Sequence, residues 1–281
     1  MAEQTSVKIC FVLPCYYPTT EQVEGAVQFS IAVRQKCREH FGALCDVLFV
    51  EDGSQSKLLN EQLLSAQQIT LLRLETNQGK GAAIKRGIQW CVQHNDLHAN
   101  ATVYGFLDFD LPYSLDDVVT VLGAVVKGAD VAIADRSLSK TSASSRLSRQ
   151  FIHRVFRFVI RVLIAGGVHD TQAGLKAFDA RFLPEIARLS QLNRFLFDLE
   201  FVYIALAHKL CVRSVPVGVV ESHQSATLRT MLRSNLFAEL FTLIVGILQR
   251  RYFSGVLVDQ LVAKISLPAH PNHSNHLGNT Q

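Results

Sequence analysis

The sequence lacks three features that mark common functional classes: a dense Lys and Arg cluster in its N-terminal half, a run of about 18 apolar residues, and a C-x-x-C spacing. Nucleic-acid binding depends on clustered cations that neutralise many phosphates, and the formal net charge is only +4. A membrane-spanning helix needs roughly 20 predominantly apolar residues. We therefore expect no nucleic-acid partner, and we expect any membrane contact to be peripheral.

The cysteines and the first residues give an expectation about the cellular compartment. Several cysteines lie in apolar runs, where they are interpreted as small buried hydrophobic side chains. The six positions are Cys10, Cys15, Cys37, Cys45, Cys91 and Cys211. Residues 1–7 contain Glu3 and Gln4 and have no basic region before an apolar stretch, so they do not resemble a signal peptide. A reducing, cytoplasmic location is expected.

The sequence contains a regular alternation between short apolar runs typical of strands and segments with the 3.6-residue spacing of helices. A chain of 281 residues with 48% hydrophobic and 19% charged residues is typical of one globular α/β domain. Short apolar runs predict strands at 7–13, 46–50, 69–74, 101–107 and 131–134, and helical spacing predicts helices at 22–39, 81–92 and 115–126. The pattern predicts a mainly parallel sheet with helices on both faces, and ligands bind beyond the carboxyl ends of such strands.

The second half of the chain contains three segments with less regular patterns. Residues 137–148 are rich in Ser and contain Arg146, with Arg149 close behind, which indicates a basic loop or a disordered segment. Two stretches combine arginines with apolar residues at helical spacing, at 154–163 and 228–253. Such helices lie on membranes or pack into a core. We divide the chain into a catalytic domain (1–226), amphipathic C-terminal helices (227–266) and a disordered tail (267–281).

Polar groups follow several of the predicted strands. Asp108 and Asp110 come directly after an apolar run, and two carboxylates one residue apart can hold a hard divalent cation; a capping turn is the alternative. Asp52 follows the second strand, where a carboxylate can accept hydrogen bonds from a nucleoside or form a turn. Lys80 lies between two glycines before a helix, where phosphate binding is favoured, although a solvated lysine is the simpler interpretation.

Together these motifs resemble the family-2 glycosyltransferases, and the nearest branch looks like the dolichyl- or polyprenyl-phosphate sugar synthases. The resemblance covers roughly residues 8–217 through six motifs that occur in the same order. They are Leu13-Pro14-Cys15-Tyr16, Glu51-Asp52-Gly53-Ser54, Gly79-Lys80-Gly81, Asp108-Phe109-Asp110, Asp170-Thr171-Gln172-Ala173-Gly174-Leu175-Lys176 and Phe197-Asp198-Leu199-Glu200. The resemblance implies a GT-A fold and inverting transfer of a hexose from a UDP-glucose or GDP-mannose type donor to a polyprenyl phosphate.

The resemblance also implies a role for individual residues. Catalytic roles fall to Asp110, Asp198 and Arg136; donor contacts to Pro14, Tyr16, Asp52, Lys80 and Asp108; Mg²⁺ or Mn²⁺ binding to Asp108 and Asp110; and acceptor contacts to Arg136, Arg146, Arg149 and Gln172. Asp198 has the alternative interpretation of a carboxylate on a helix surface. The implied partners are a nucleotide sugar and a polyprenyl-phosphate-type acceptor, and the two amphipathic stretches add an expected peripheral contact with the cytoplasmic face of a membrane.

The sequence departs from the family pattern at three positions. Tyr17 and Pro18 stand where members usually have Asn and Glu, so that Glu21 would have to replace one contact, and Pro112 stands where some relatives have a metal-contacting glutamine. Three alternatives remain open. One is a soluble transferase of the same family that uses a saccharide or protein hydroxyl, with Asp198 as the base. The others are a nucleotidyltransferase, which usually has a basic Gly-rich loop after the first strand, and an inactive membrane-binding module.

Overall fold

The computed structural model of the chain describes residues 7–94, 102–138, 168, 170–194, 196–218, 239 and 241–246. Several predictions fall outside these residues and stay predictions. They concern Arg146, Arg149, the amphipathic stretch 154–163, most of the segment 227–266 and the tail 267–281.

A seven-stranded sheet forms the centre of the protein. Its strands are β1 (Lys8–Cys15), β2 (Leu44–Glu51), β3 (Ile69–Arg73), β4 (Thr102–Phe106), β5 (Val131–Asp135), β6 (Lys176–Asp179) and β7 (Val212–Pro216). Their order is β3-β2-β1-β4-β6-β5-β7, and all neighbours are parallel except β6, which runs antiparallel to β4 and β5. The prediction of a mainly parallel sheet is therefore confirmed.

The helices of the described residues are α1 (Thr20–Phe41), α2 (Glu61–Ala66), α3 (Lys80–His94), α4 (Leu115–Val126), α5 (Leu183–Leu189) and α6 (Phe197–Ala207). The three predicted helices correspond to α1, α3 and α4. Helix α1 begins after Thr19, which forms a capping box with Gln22, and ends at Gly42 in the left-handed conformation. The sequence prediction did not include α2, α5, α6, β6 or β7.

The part of the core next to the carboxyl end of β4 consists of aromatic side chains. Phe106 on β4 packs with Phe178 on β6 at 5.8 Å between ring centroids, and Phe197 and Phe201 of α6 lie 6.0 and 6.5 Å from Phe106. All four side chains are buried. Aromatic pairs at these separations add to the hydrophobic gain from burial. This cluster fixes the first turn of α6 against the sheet edge where β4 ends.

The cysteine interpretation needs a correction at one pair. Cys10 on β1 and Cys91 on α3 form a disulfide across 81 residues of chain, rather than two separate buried thiols. The strand and helix pack face to face, and this brings the two positions together. Cys15, by contrast, is a buried free thiol, as predicted, and burial raises its pKa to about 12, so it stays protonated at neutral pH.

The C-terminal segment touches the domain at a few described positions. Residues 241–246 are helical, with Leu243 buried in the core and Phe241 exposed. This supports core packing for that short stretch of the predicted amphipathic segment. Within the described ranges, no helix combines the length and the apolar character that a bilayer crossing requires.

Candidate active site

The carboxyl ends of β1, β2 and β4 meet at one edge of the sheet. Residues 14–17, 51–54 and 108–110 therefore lie side by side, as the parallel alternation predicts. The backbone continues this pairing past the strands, because the Asp52 amide donates to the Cys15 carbonyl at 2.9 Å and the Leu107 amide to that of Val12 at 3.2 Å. The candidate site is this edge.

The end of β1 presents aromatic rings. Pro14 is buried within the strand, whereas Tyr16 is 51% exposed and Tyr17 is 66% exposed. The two rings meet edge to face with centroids 4.6 Å apart, and Tyr17 adopts the left-handed conformation with φ of 47°. An exposed aromatic ring of this kind can stack against the base of a nucleoside. Glu21, the proposed substitute contact, is exposed in the first turn of α1.

Asp52 holds the loop that precedes α3. Its Oδ1 accepts a hydrogen bond from the Gln78 amide at 2.8 Å, and its Oδ2 accepts from the Gly79 amide at 2.8 Å and from Asn77 Nδ2 at 2.9 Å. Burial raises the pKa of Asp52, while the Gln78 and Gly79 hydrogen bonds act in the opposite direction. Three of about four lone-pair positions are thus in use, which leaves room for one further donor such as a nucleoside N–H.

The neighbouring Glu51, the last residue of β2, stabilises the end of this strand through hydrogen bonds. Its side chain is fully buried and accepts hydrogen bonds from the Ser54 hydroxyl, the Ser56 amide and the Arg73 guanidinium. Burial opposes its charge, but these three donors bring the pKa of Glu51 below its usual value. Glu51 is therefore an ionised structural residue.

Four charged side chains, Asp108, Lys80, Asp198 and Lys176, form what we call the ion-pair chain. Lys80 Nζ lies 2.5 Å from Asp108 Oδ1 and 3.5 Å from Asp198 Oδ2, and Lys176 Nζ lies 2.6 Å from Asp198 Oδ1. Asp198 and Lys176 are buried, with relative exposures of 4% and 0%. The interpretation of Asp198 as a helix-surface carboxylate is therefore wrong, and α6 delivers this residue into the site.

The two carboxylates after β4 have different environments. Burial opposes the charge of Asp108, but the Lys80 ammonium brings the pKa of Asp108 below its usual value. Burial raises the pKa of Asp110, and the Asp108 charge raises it further. Gly174 allows this arrangement, because a Cβ at that position would lie 1.9 Å from Asp108 Oδ2.

The pair offers oxygen ligands of the kind that Mg²⁺ and Mn²⁺ prefer. Within the described ranges, no cluster of three or more His, Cys, Asp or Glu side chains is placed to hold a metal ion. The Lys80 ammonium already provides a positive group against Asp108. The donor set therefore fits a divalent cation that receives its remaining ligands from a substrate.

Arg136 lies directly after β5 and pairs with Asp170. Its Nε and Nη2 donate to the two carboxylate oxygens at 2.6 and 2.8 Å, in a bidentate pair. Burial opposes ionisation of Asp170, but the guanidinium holds the pKa of this carboxyl below its usual value. Two buried groups in the adjacent loop, Thr171 Oγ1 and Gln172 Nε2, have no hydrogen-bond partner in the described part of the chain. This corner can therefore bind polar groups.

The sequence prediction missed several residues of this site. It gave no role to Lys176 and Asp170, although both stand in the motif from 170 to 176. It also missed the loop at 193–196, where the Asn193 carbonyl would lie 2.5 Å from a Cβ at Gly79. The amides of Arg194 and Leu196 donate to Glu239 at 3.0 and 3.2 Å. The C-terminal segment thus holds the loop that supports the start of α3.

Comparison with known proteins gives one family match and several related sequences. Residues 31–186 match the sequence model of the family described as Glycosyl transferase family 2. Dolichyl-phosphate beta-glucosyltransferase of Drosophila melanogaster is 24% identical over 229 residues, which cover 79% of this chain and 69% of that protein. The protein of the same name from Homo sapiens is 28% identical over 183 residues, which cover 63% of this chain and 56% of that protein.

Solved structures share the fold at low sequence identity. Glucosyl-3-phosphoglycerate synthase from Mycobacterium tuberculosis, solved with Mn²⁺, UDP and glucosyl-3-phosphoglycerate, has a TM-score of 0.54 and 16% identity and covers 86% of this chain and 79% of that one. Mannosyl-3-phosphoglycerate synthase from Rubrobacter xylanophilus has a TM-score of 0.56 and 16% identity, with coverage of 94% and 78%. These likenesses confirm the predicted GT-A fold.

Proposed function

The chain belongs to glycosyl transferase family 2 and is a glycosyltransferase, and from that membership we propose that it transfers a hexose from a nucleotide sugar to a polyprenyl-phosphate-type acceptor. UDP-glucose or GDP-mannose is the proposed class of donor. The names of the curated relatives, dolichyl-phosphate beta-glucosyltransferases, support a glucose donor and a lipid phosphate acceptor. The single observation that carries the proposal from the site itself is the pairing of Asp198 with two lysines.

The state of Asp198 bears on the acceptor because a hydroxyl acceptor needs a base to take its proton. Asp198 is buried, its Oδ1 lies 2.6 Å from Lys176 Nζ, and its Oδ2 lies 3.5 Å from Lys80 Nζ. Because each of its two oxygens faces an ammonium group, neither is placed to take a proton from an acceptor hydroxyl. A phosphate acceptor is already largely ionised near neutral pH and needs no base. The ion-pair chain therefore favours a phosphate acceptor over a saccharide or protein hydroxyl.

On the donor side, Asp108 and Asp110 would hold Mg²⁺ or Mn²⁺ against the pyrophosphate. Such a cation supplies stabilisation of the negative charge that grows on the departing nucleoside diphosphate. Tyr16 would contact the nucleoside with its exposed ring, and Asp52 would keep the loop before α3 in place while it accepts one donor from the base or ribose. The Mn²⁺ and UDP of the solved mycobacterial enzyme support this assignment at the level of the shared fold.

On the acceptor side, Arg136 would orient the phosphate. Asp170 fixes its guanidinium through the Nε and Nη2 edge, and among the described residues no acceptor contacts Nη1. Gln172 Nε2, buried and without a partner in that part of the chain, is a second donor for the same group. We include Arg146 and Arg149 in the proposed acceptor site on their sequence position alone.

Membrane contact belongs to the same proposal. A polyprenyl phosphate resides in a bilayer, so the amphipathic stretch at 154–163, together with the parts of 227–266 outside the packed residues 239 and 241–246, would bring the site to the cytoplasmic face. Flotation with anionic liposomes tests this, with Arg157 and Arg161 changed to Glu. Unchanged flotation of the variant would contradict membrane binding through that stretch.

The function itself is tested by donor consumption. UDP-glucose and GDP-mannose are each supplied with and without Mn²⁺ and a short polyprenyl phosphate, to the wild type and to Asp110→Ala. We expect one donor to be consumed only when both metal and lipid phosphate are present, and the variant to be inactive. If donor consumption requires the metal but is the same with and without the lipid phosphate, the proposed donor site is supported and the proposed acceptor is rejected.

A further inference from the structure

The ammonium of Lys80 contacts Asp108 Oδ1, one of the two oxygens that Asp108 can offer to a cation. Its Nζ is 2.5 Å from Asp108 Oδ1, and the Lys80 and Asp108 side chains are 30% and 36% exposed. We propose that Lys80 occupies the cation position at Asp108 in the free protein and passes to Asp198 when a divalent cation and a nucleoside diphosphate bind. This inference rests on the proposed function, since it assumes that Asp108 is a metal ligand.

The geometry permits the transfer with a small movement. Lys80 Nζ already lies 3.5 Å from Asp198 Oδ2, so a shift of roughly 1 Å brings it to the distance of a normal charge-assisted hydrogen bond. The lysine side chain is flexible and its ammonium can donate three hydrogen bonds. Lys80 can therefore leave one carboxylate without losing a countercharge, because the second is held ready beside it.

The second carboxylate is prevented from turning away. Lys176 Nζ binds Asp198 Oδ1 at 2.6 Å and the Ala173 carbonyl at 2.5 Å, and it is completely buried in the first position of β6. With Oδ1 fixed in this way, Oδ2 faces Lys80. Lys176 is thus the anchor of the ion-pair chain, and Lys80 is its movable member.

Charge balance explains why such an exchange would be useful. Within the ion-pair chain the two carboxylates and two ammonium groups cancel, so Asp110 is the carboxylate beside it that is left to attract a divalent cation. A divalent cation and an ammonium group repel each other if they share one carboxylate. Binding of the cation alone should therefore be weak, whereas a nucleoside diphosphate brings enough negative charge to accommodate both cations. Metal and donor would then bind together.

The alternative is a permanent pair between Lys80 and Asp108, with the metal held by Asp110 and the donor alone. The two arrangements predict effects of different size when the lysine charge is removed. In the exchange arrangement, Lys80→Gln frees Asp108 as a ligand for the metal. In the permanent arrangement, the same substitution only relieves the repulsion between the ammonium group and a metal held by Asp110, so the metal affinity of the free protein rises by less than about tenfold.

The test measures Mn²⁺ affinity without any nucleotide, by the electron paramagnetic resonance signal of free Mn²⁺, for the wild type, Lys80→Gln and Lys80→Arg. Lys36→Gln is the matched control, because Lys36 forms the same kind of pair with Asp116, at 3.1 Å on the helix surface. Neighbouring charges at such distances shift an ionisation by about 1–3 pK units, so we expect the Gln variant to bind Mn²⁺ about tenfold tighter or more. The Arg variant and the control should remain at the wild-type affinity or below it.

Addition of UDP or GDP separates failure of this inference from failure of the proposed function. If the wild type binds Mn²⁺ with nucleotide but Lys80→Gln gains less than about tenfold in affinity without it, the exchange is rejected and the metal site stands. If neither protein binds Mn²⁺ even with nucleotide, the metal-dependent function and the exchange are rejected together. Circular dichroism of Lys80→Gln checks that the fold is retained. Lys80→Arg changes the side chain but keeps its positive charge, so it shows whether a change in Mn²⁺ affinity comes from the charge or from the substitution itself.

Discussion

Replacement of Gly174 by alanine tests whether Asp108 must keep its position. A Cβ at residue 174 would lie 1.9 Å from Asp108 Oδ2, whereas ordinary contact begins at 3.4 Å, so the carboxylate has to retreat by about 1.5 Å. This retreat separates it from Lys80 and from the proposed cation. Because displacement of a reacting group by about 1 Å can cost about 100-fold in rate, we expect kcat/KM for sugar transfer to fall about 100-fold.

The assay compares initial rates with thermal unfolding. The Asp108 side chain is 36% exposed and has room to turn, so we expect the free energy of unfolding to change by less than about 1 kcal/mol. Gly25→Ala is the matched control, since its Cβ would meet only Leu111 Cδ1, at 3.9 Å, and alanine in helix α1 should stabilise by about 0.5–1 kcal/mol. Wild-type kcat/KM in Gly174→Ala would refute the argument that this glycine positions Asp108.

Three further outcomes are expected. Lys176→Met leaves Asp198 buried without its closest cation, so urea unfolding should show a loss of about 3–5 kcal/mol, and a loss under about 1 kcal/mol would contradict the buried pair. The pKa of Glu51 is lowered on folding, so its contribution is present above the unfolded value of about 4.3 and disappears as the pH falls through the folded value. The melting temperature of Glu51→Gln should therefore be lower near neutral pH and fall less steeply than that of the wild type below about pH 5, and parallel curves would exclude this role. Glu239→Ala leaves two backbone N–H groups of the loop at 193–196 without their acceptor, so steady-state kinetics should show a severalfold higher donor KM with little change in kcat; Glu239→Gln, which can still accept, should recover part of it.

Local patterns predicted the elements whose own residues show a clear period. Strands β1 to β5 and helices α1, α3 and α4 each have such a pattern, and their ends were displaced by only a few residues. Strand β6 has four residues, and α6 has apolar residues on all sides apart from Asp198 and Glu200 in its first turn, so neither shows the periodicity on which the prediction relied. Their place in the fold is decided by packing against Phe106 and its neighbours.

The residues of the candidate site likewise divide into those that local sequence patterns predict and those that only the fold brings together. Strand-end carboxylates such as Asp52 and Asp108 could be found because the topology of a parallel sheet places all these ends together. The ion pairs beside these carboxylates could not be found in the same way, because Lys176 and Asp198 are 22 residues apart in the sequence and Arg136 and Asp170 are 34 residues apart. A lysine at the start of a short strand is usually solvated, and complete burial of Lys176 is rare for this residue type. Only the three-dimensional arrangement reveals these partners.

The reversed direction of β6 has a consequence for how this protein can diversify. The parallel strands arrive at the active-site edge with their last residues, but β6 starts there with Lys176. The chain therefore leaves β5 at the active-site edge and enters β6 at that same edge. Residues 139–169 connect two points on one rim, so a change in their length does not require a shift in the register of the sheet. Exchange of this interval between relatives therefore tests whether it carries the proposed acceptor contacts of Arg146 and Arg149, while the donor-binding edge stays unchanged.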